Sequence, residues 1–240
     1  MKIRIFWLAL IGVLFSCNTS RKEKNPEGLY SDVVIVGAMK NVMRNGELGS
    51  RINLDTISNK KGLYGLGPES FLTGELLIND GRSYVSRVVS DSTMTVVRDF
   101  EASAPFFVYA NVSKWKEITL PSNIKSIQDL EKIINEKTKL YKRPFAFKLI
   151  GMVSKAIIHV QNLPPDTKVS SPEEAHQGQI NYEVNKQNVE IVGFFSTEHQ
   201  GVFTHHDSYL HMHLLTKDER KMGHLDDLEI ESMTLYLPQK

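Results

Sequence analysis

The sequence predicts a mixed α/β or α+β fold, and three observations carry the prediction. Apolar runs rich in β-branched residues dominate from Phe145 onward and read as strands. The helix signals gather in the first 140 residues. Hydrophobic residues make up 41% of the 240 and charged residues 24%, a globular composition that excludes a disordered, collagen-like or coiled-coil chain. A chain of this length buries roughly 70–75% of its unfolded surface, so its core needs no disulfide. Cys17 is the sole cysteine and has no partner within the chain. Lys and Arg number 29 against 28 acidic residues, a balance that gives no electrostatic case for nucleic acid or an anionic membrane.

The elements follow in order. Val33 to Arg44 opens as an apolar run, and Asn45-Gly46 after it is a helix stop. Glu75 to Ile78, Asn79-Asp80-Gly81 and Tyr84 to Val89 read as a hairpin with a glycine-containing turn. Phe106 to Val112 follows Pro105 as a buried strand. Ser126 with Asp129 three residues on is a capping box, opening a helix to about Thr138 with Ile127, Leu130, Ile133 and Ile134 on its inner face. Phe145 to Val160, Val189 to Ser196, Leu210 to Leu215 and Leu228 to Leu237 are the expected later strands. Asn162 to Asn185, polar and carrying Pro164-Pro165 and Pro172, is expected to be loop.

The N-terminus has its own logic. Lys2 and Arg4 precede an uncharged apolar run from Ile5 to Phe15, broken only by Gly12. Eleven residues are too few to cross a hydrocarbon core, which needs about 20, so the pattern is that of a secretory signal. Leu14-Phe15-Ser16-Cys17 resembles the lipobox of bacterial lipoproteins, which implies cleavage after Ser16 and acylation of Cys17. The expected organisation is a signal peptide over residues 1–16, a polar tether over 17–28 and a folded body over 29–240. Two or three acyl chains, at about 0.8 kcal/mol per buried CH₂, would anchor the mature protein to a membrane of the bacterial cell envelope. The alternative is an ordinary signal peptide with an incidental cysteine.

All eight histidines lie between His159 and His224, and six of them fall within the 26 residues from His199 to His224. The sharpest pattern is His211-Met212-His213 with Gly223-His224 after it. Alternate strand residues share a face, so His211 and His213 point the same way, and the charged turn Lys217 to Arg220 would return His224 to them. Three imidazoles and a carboxylate leave coordination positions open, as catalytic metal sites do. Such ligands suit Zn, Mn, Fe, Ni or Cu alike. A bare His-x-His is more often a pair of surface histidines, so the third histidine is what raises the reading. His199, His205 and His206 are read as loop or pocket-rim residues and given no role. Other chemistries lack parts: there is no phosphate-binding glycine loop, no Gly-x-Ser-x-Gly elbow, and no glutamate where a cupin needs it, Lys217 and Asp218 standing there instead.

Further motifs extend the pattern. Gly65-Leu66-Gly67, Leu72-Thr73-Gly74-Glu75 and Asp80-Gly81-Arg82-Ser83-Tyr84, with Ala104-Pro105-Phe106, Phe145-Ala146-Phe147-Lys148 and Gly151, and Val192-Gly193-Phe194, resemble the α-acetolactate decarboxylase family. So does the spacing of His211, His213 and Gly223-His224-Leu225 with Asp227, and the resemblance runs from about Tyr30 to Leu237. It implies an α/β homodimer whose C-terminal part is β-barrel-like, with a divalent metal, usually zinc, held by His211, His213, His224 and Glu75. It implies decarboxylation of 2-acetolactate to acetoin, in which the metal binds the neighbouring oxygens of a hydroxy-keto acid and an acid protonates the enediolate left behind.

Departures accompany the likeness. The family's catalytic arginine corresponds, without gaps, to His159, which becomes a candidate catalytic residue beside Glu75. Pro68 stands for a threonine and Thr73 for an aspartate. Family members supply a further glutamate from a C-terminal tail, whereas this chain ends sixteen residues beyond His224. Two other readings therefore stand beside the decarboxylase: a member acting on another chelating hydroxy-keto acid, and a non-catalytic metal- or ligand-binding envelope lipoprotein.

Overall fold

The structure, a computed structural model, describes residues 32–239. The expected signal peptide, Cys17 and the tether lie outside the described residues. In chain order the first elements are β1 (Val34–Val36), α1 (Met39–Asn45), β2 (Ile52–Asn53), β3 (Leu63–Pro68), β4 (Glu75–Asn79), β5 (Arg82–Ser90) and β6 (Thr93–Arg98). Then come β7 (Ser103–Ala104), β8 (Phe107–Asn111), β9 (Trp115–Thr119), α2 (Ile127–Lys137) and β10 (Phe145–Val160). Last are α3 (Pro172–Ala175), β11 (Ile180–Phe195), β12 (Leu210–Thr216) and β13 (Met222–Pro238). The fold is mixed, mostly strand with few helices, as expected.

Local chemistry places several elements. Gly46 ends α1 in the left-handed region at φ 64, which a residue without Cβ adopts freely. Asp80 and Gly81 both take positive φ, 49 and 76, so the β4–β5 connection has the twist that a two-residue hairpin needs. The Ser126 hydroxyl accepts from the Asp129 backbone N–H at 3.2 Å, and the Asp129 carboxylate accepts from Ser126 N–H at 3.2 Å, so the capping box closes. The inner face of α2 buries Leu130, Ile133 and Ile134, matching the expected stripe except for half-buried Ile127.

Two expectations change. The stretch read as loop holds the single-turn α3, and its last six residues already belong to β11, which begins at Ile180 rather than Val189. Buried Tyr182 and Val184 alternate with exposed Asn181, Glu183 and Asn185, a period of two masked by the polar composition of the exposed face. β13 likewise begins at Met222 rather than Leu228. Gly223 and the Asp226-Asp227 pair interrupt the apolar pattern there, yet the backbone continues as strand.

Two large antiparallel sheets and the small β2–β7 pair result. The first runs β1-β8-β3-β4-β5-β6. In the second, β10 pairs β11, β11 pairs β12, β12 pairs β13, and β13 pairs β10 again, giving the barrel-like part, with β9 on the far end of β13. Tyr64, Leu66, Leu77 and Tyr84 of the first sheet pack against Ala146, Val192 and Phe194 of the second. Full burial of side chains of this size contributes about 1.5–3 kcal/mol each, so this seam holds the sheets in a set relation. The start of β4 is thereby brought against β12 and β13.

Candidate metal centre

Alternation along β12 puts His211 and His213 on one face, with ring centroids 5.3 Å apart. The β12–β13 hairpin then sets His224 directly opposite His213 in the ladder. Its ring lies 4.9 Å from His211 and 5.4 Å from His213. One ligand atom from each of the three falls within 4.8 Å of the others. All three side chains are buried. Burial, reinforced by the positive charge a neighbouring imidazole would carry, drives His211 and His224 well below the usual histidine range and His213 down to about 3. The rings are therefore neutral at pH 7, with lone pairs free for a cation.

The donor set fits a metal on a second count. His211 Nδ1 and both nitrogens of His213 are buried without a hydrogen-bond partner. Each such group costs about 1–3 kcal/mol when left unsatisfied, and a divalent ion takes one nitrogen of each ring, the other keeping its N–H.

Glu75 arrives from the other sheet as the first residue of β4 and is 2% exposed. Its Oε2 lies 3.6 Å from His213 Nε2, and its Oε1 lies 3.9 Å from His159 Nε2. Burial raises its carboxyl well above the ordinary carboxylate range, against the pull of a hydrogen bond from the Gln161 backbone N–H. Glu75 stands beside the compact trio rather than within it.

His159 stands at the site too. In the β10–β13 ladder it faces His224, and the two rings stack at 4.6 Å with 25° between planes. The close approach depends on Gly223, where a Cβ would sit 2.4 Å from the His159 carbonyl oxygen. His159 Nδ1 lies 2.8 Å from Asp226, a residue the sequence reading passed over in favour of the neighbouring Asp227. Asp227 is exposed, with its carboxylate accepting from the Leu228 backbone N–H. Sequence reasoning missed His176 and Gln161, the concentration of histidines between His159 and His224 being the one signal for the first; His205, read as a loop or pocket-rim residue, does line the site. Of the departing positions, Pro68 lines the site, whereas Thr73 donates to Glu69 at 3.2 Å.

Two cavities meet here, sharing His205 and His224 as walls. An outer one of about 320 Å³ is lined by Glu131, Asp207, Ser208 and Asp226 among others. An inner recess of about 20 Å³ lies among Glu75, His159, Gln161, His176 and His211. Among the described residues, no lysine or arginine lines either.

Two antiparallel sheets joined around three buried histidines on neighbouring strands define an α+β protein with a ready-made three-imidazole site. The alpha-acetolactate decarboxylase family model matches residues 36–239, and the chain belongs to that family. Among solved structures, an alpha-acetolactate decarboxylase from Bacillus subtilis strain 168 is 25% identical, with a TM-score of 0.71 over 87% of this chain and 85% of that one. The acetolactate decarboxylase of Bacillus subtilis subspecies spizizenii is 24% identical, with a TM-score of 0.73 over 87% and 86%. A Staphylococcus aureus protein of unknown function, described as similar to alpha-acetolactate decarboxylase, shares the fold at 18% identity and a TM-score of 0.72 over 87% and 85%. No curated protein matches the chain.

Proposed function

We propose that this chain is a metal-dependent carboxy-lyase that releases CO₂ from 2-acetolactate to give acetoin. The observation that carries the reading is the convergence of three buried imidazoles with the buried Glu75 carboxyl from the opposite sheet. Membership of the alpha-acetolactate decarboxylase family supports it. His211, His213 and His224 would hold one divalent ion, zinc being well suited to imidazole ligands. Bound there, the ion supplies a Lewis acid for the adjacent oxygens of a 2-hydroxy-3-keto acid.

The protein's own groups do the rest. Cleavage breaks the bond between the carboxyl carbon and C2, and its electron pair moves toward the neighbouring carbonyl. A proton must then reach C2. Glu75 is placed to carry it, because its buried carboxyl faces the recess beside the trio and its Oε1 lies 3.9 Å from His159 Nε2. One proton taken from solvent per turnover restores Glu75 and balances the reaction. Metal analysis of the purified chain, with a CO₂-release assay on racemic acetolactate, tests the proposal. A chain that takes up no divalent ion, or a loaded chain that releases no CO₂, rejects it.

One observation favours a second reading. Among the described residues no lysine or arginine lines either cavity, and His159 stands where the resemblance places an arginine. A member acting on another chelating hydroxy-keto acid would give CO₂ from a panel of such acids but not from acetolactate. Placement in the bacterial cell envelope through a lipid on Cys17 rests on the sequence pattern alone, and the homodimer on the resemblance alone. No helix among the described residues is long and apolar enough to cross a membrane.

A further inference from the structure

In the first sheet Glu75 sits opposite Pro68 of β3 and opposite Ser86 of β5. The residue after each of these is one half of an ion pair. Arg87 donates from Nε to Glu69 Oε2 at 2.7 Å and from Nη2 to Glu69 Oε1. Alternation puts the pair on the face of the sheet turned away from the Glu75 side chain. It spans from the end of β3 to β5 past Gly74, the residue before Glu75. A Cβ on Gly74 would lie 2.8 Å from Glu69 Oε2, 3.2 Å from Arg87 Cγ and 2.3 Å from the Ser86 carbonyl oxygen, so only glycine lets this clasp close. The connection it closes is strained: Phe71 and Leu72 hold φ at 62 and 54, in the left-handed region that such side chains disfavour. Backbone of this kind persists where its surroundings over-determine it. Here the Glu69 N–H donates to the Gly74 carbonyl at 2.9 Å, the Thr73 hydroxyl to Glu69 Oε2 at 3.2 Å and the Phe71 N–H to the Leu48 carbonyl at 2.8 Å.

We propose that Glu69 and Arg87 are positioning residues for Glu75: their ion pair clamps the strained connection and so sets the Glu75 carboxyl against the imidazole trio. The inference rests on the reading of Glu75 as the proton carrier, and names the device that fixes it. The trio stands on β12 and β13 of the other sheet, so the pair acts on the carboxyl and leaves the ion alone. Placement matters because proton transfer needs donor and acceptor within hydrogen-bond reach, and a misplacement of about 1 Å can cost about 100-fold in rate. A guanidinium fork meeting both carboxylate oxygens fixes the plane of its partner, which the point charge of a lysine does not.

The test uses the full zinc-loaded chain with acetolactate. Arg87→Met keeps the stem and removes the fork, and is expected to lower kcat about tenfold with KM held within about twofold and zinc content unchanged. Arg87→Lys, which keeps the charge, should lose only about threefold. In a Glu75→Gln chain, Arg87→Met should cost nothing further, because the group it positions is gone. A substitution that merely loosened the fold would cost the same factor in both backgrounds. Should Arg87→Met not fold, Glu69→Gln takes its place under the same criteria. An unchanged kcat, a loss that falls on KM or on zinc content, or equal losses in the two backgrounds overturns the proposal. Amide hydrogen exchange keeps the two readings apart. In Arg87→Met it should quicken at least about tenfold across residues 69–75 while β12 holds its protection. A parent chain that releases no CO₂ rejects the decarboxylase reading alone, and unaltered exchange across 69–75 then rejects the clasp.

Discussion

His159 and His224 face one another across the β10–β13 ladder, their rings stacked at 4.6 Å, so a side chain that the sequence reading made a candidate catalytic residue leans directly on a member of the imidazole trio. The contact joins two long strands at the point where the second sheet meets β4. It also explains why Asp226, two residues beyond His224, reaches the far nitrogen of His159. The contact ties the placement of the trio to the register of β10 and β13.

His159→Ala should lower kcat/KM for acetolactate about 10–100-fold while the chain keeps its ion, because the variant removes a hydrogen-bonding group beside Glu75 but no member of the trio. Steady-state rates with metal content on the same samples provide the check. Loss of the ion from this variant would place His159 among the ligands instead.

The parent chain should bind about one divalent ion per molecule, and His213→Ala should abolish tight binding, because the remaining pair forms an incomplete shell. Zinc at 100 times its dissociation constant should stabilise the parent by about 2.7 kcal/mol and leave His213→Ala unmoved. Thermal unfolding with and without chelator reads both. Glu75→Gln should keep the ion with affinity reduced no more than about tenfold, and lose turnover at least about 100-fold.

Gly223→Ala tests the register. The added Cβ meets the His159 carbonyl oxygen at 2.4 Å, and backbone cannot yield as a flexible side chain does. Overpacking of this kind costs about 1–3 kcal/mol. The strain falls on the residue before His224, so weaker zinc binding should accompany the lower urea midpoint. A variant with parental midpoint and affinity would show that β13 shifts without consequence.

The hairpin that delivers His224 carries its own acid sensitivity. Asp218 accepts from the Thr216 hydroxyl at 2.7 Å and from Arg220 Nε at 2.8 Å, and these bonds hold its carboxyl down to about 2 from 3.8. A folded-state value below the unfolded one means stability that is present above pH 3.8 and lost as pH falls toward 2. The side chain is 45% exposed, so solvent screening keeps the effect small. Urea midpoints of the metal-free chain should drop less steeply over that window in Asp218→Asn than in the parent. Parallel acid limbs would remove Asp218 from the account.

Cys17→Ser should leave the protein unlipidated and out of the detergent-extracted membrane fraction of its host, given the lone cysteine behind an eleven-residue apolar run. Mass spectrometry of the mature N-terminus decides it. Cleavage elsewhere with Cys17 unmodified would contradict the lipobox reading.

Elements governed by neighbours in sequence were legible from residues alone. The Asn79-Asp80-Gly81 turn, the Ser126–Asp129 capping box and the shared face of His211 and His213 each depend on φ preference, hydrogen-bond reach or strand alternation over a few residues. The charged turn after β12 likewise foretold the return of His224. Where polar side chains covered one face of a strand, as at Ile180–Asn185, the same alternation was present but composition obscured it.

Tertiary structure decided which side chains share the centre with the trio. Glu75 meets His213 only because the seam of Tyr64, Leu66, Leu77 and Tyr84 packs the first sheet against the second. Asp226, not Asp227, reaches His159 because the β10–β13 ladder slips between Ile157 and Ile158, and one residue of slip exchanges the faces of a strand. The setting of Gln161 depends on contacts with His159, Gln179 and Glu75 at once. Local rules state which way a side chain points along its own strand. Register between strands distant in sequence is set by the packing of the whole core, and that register determines what each side chain meets.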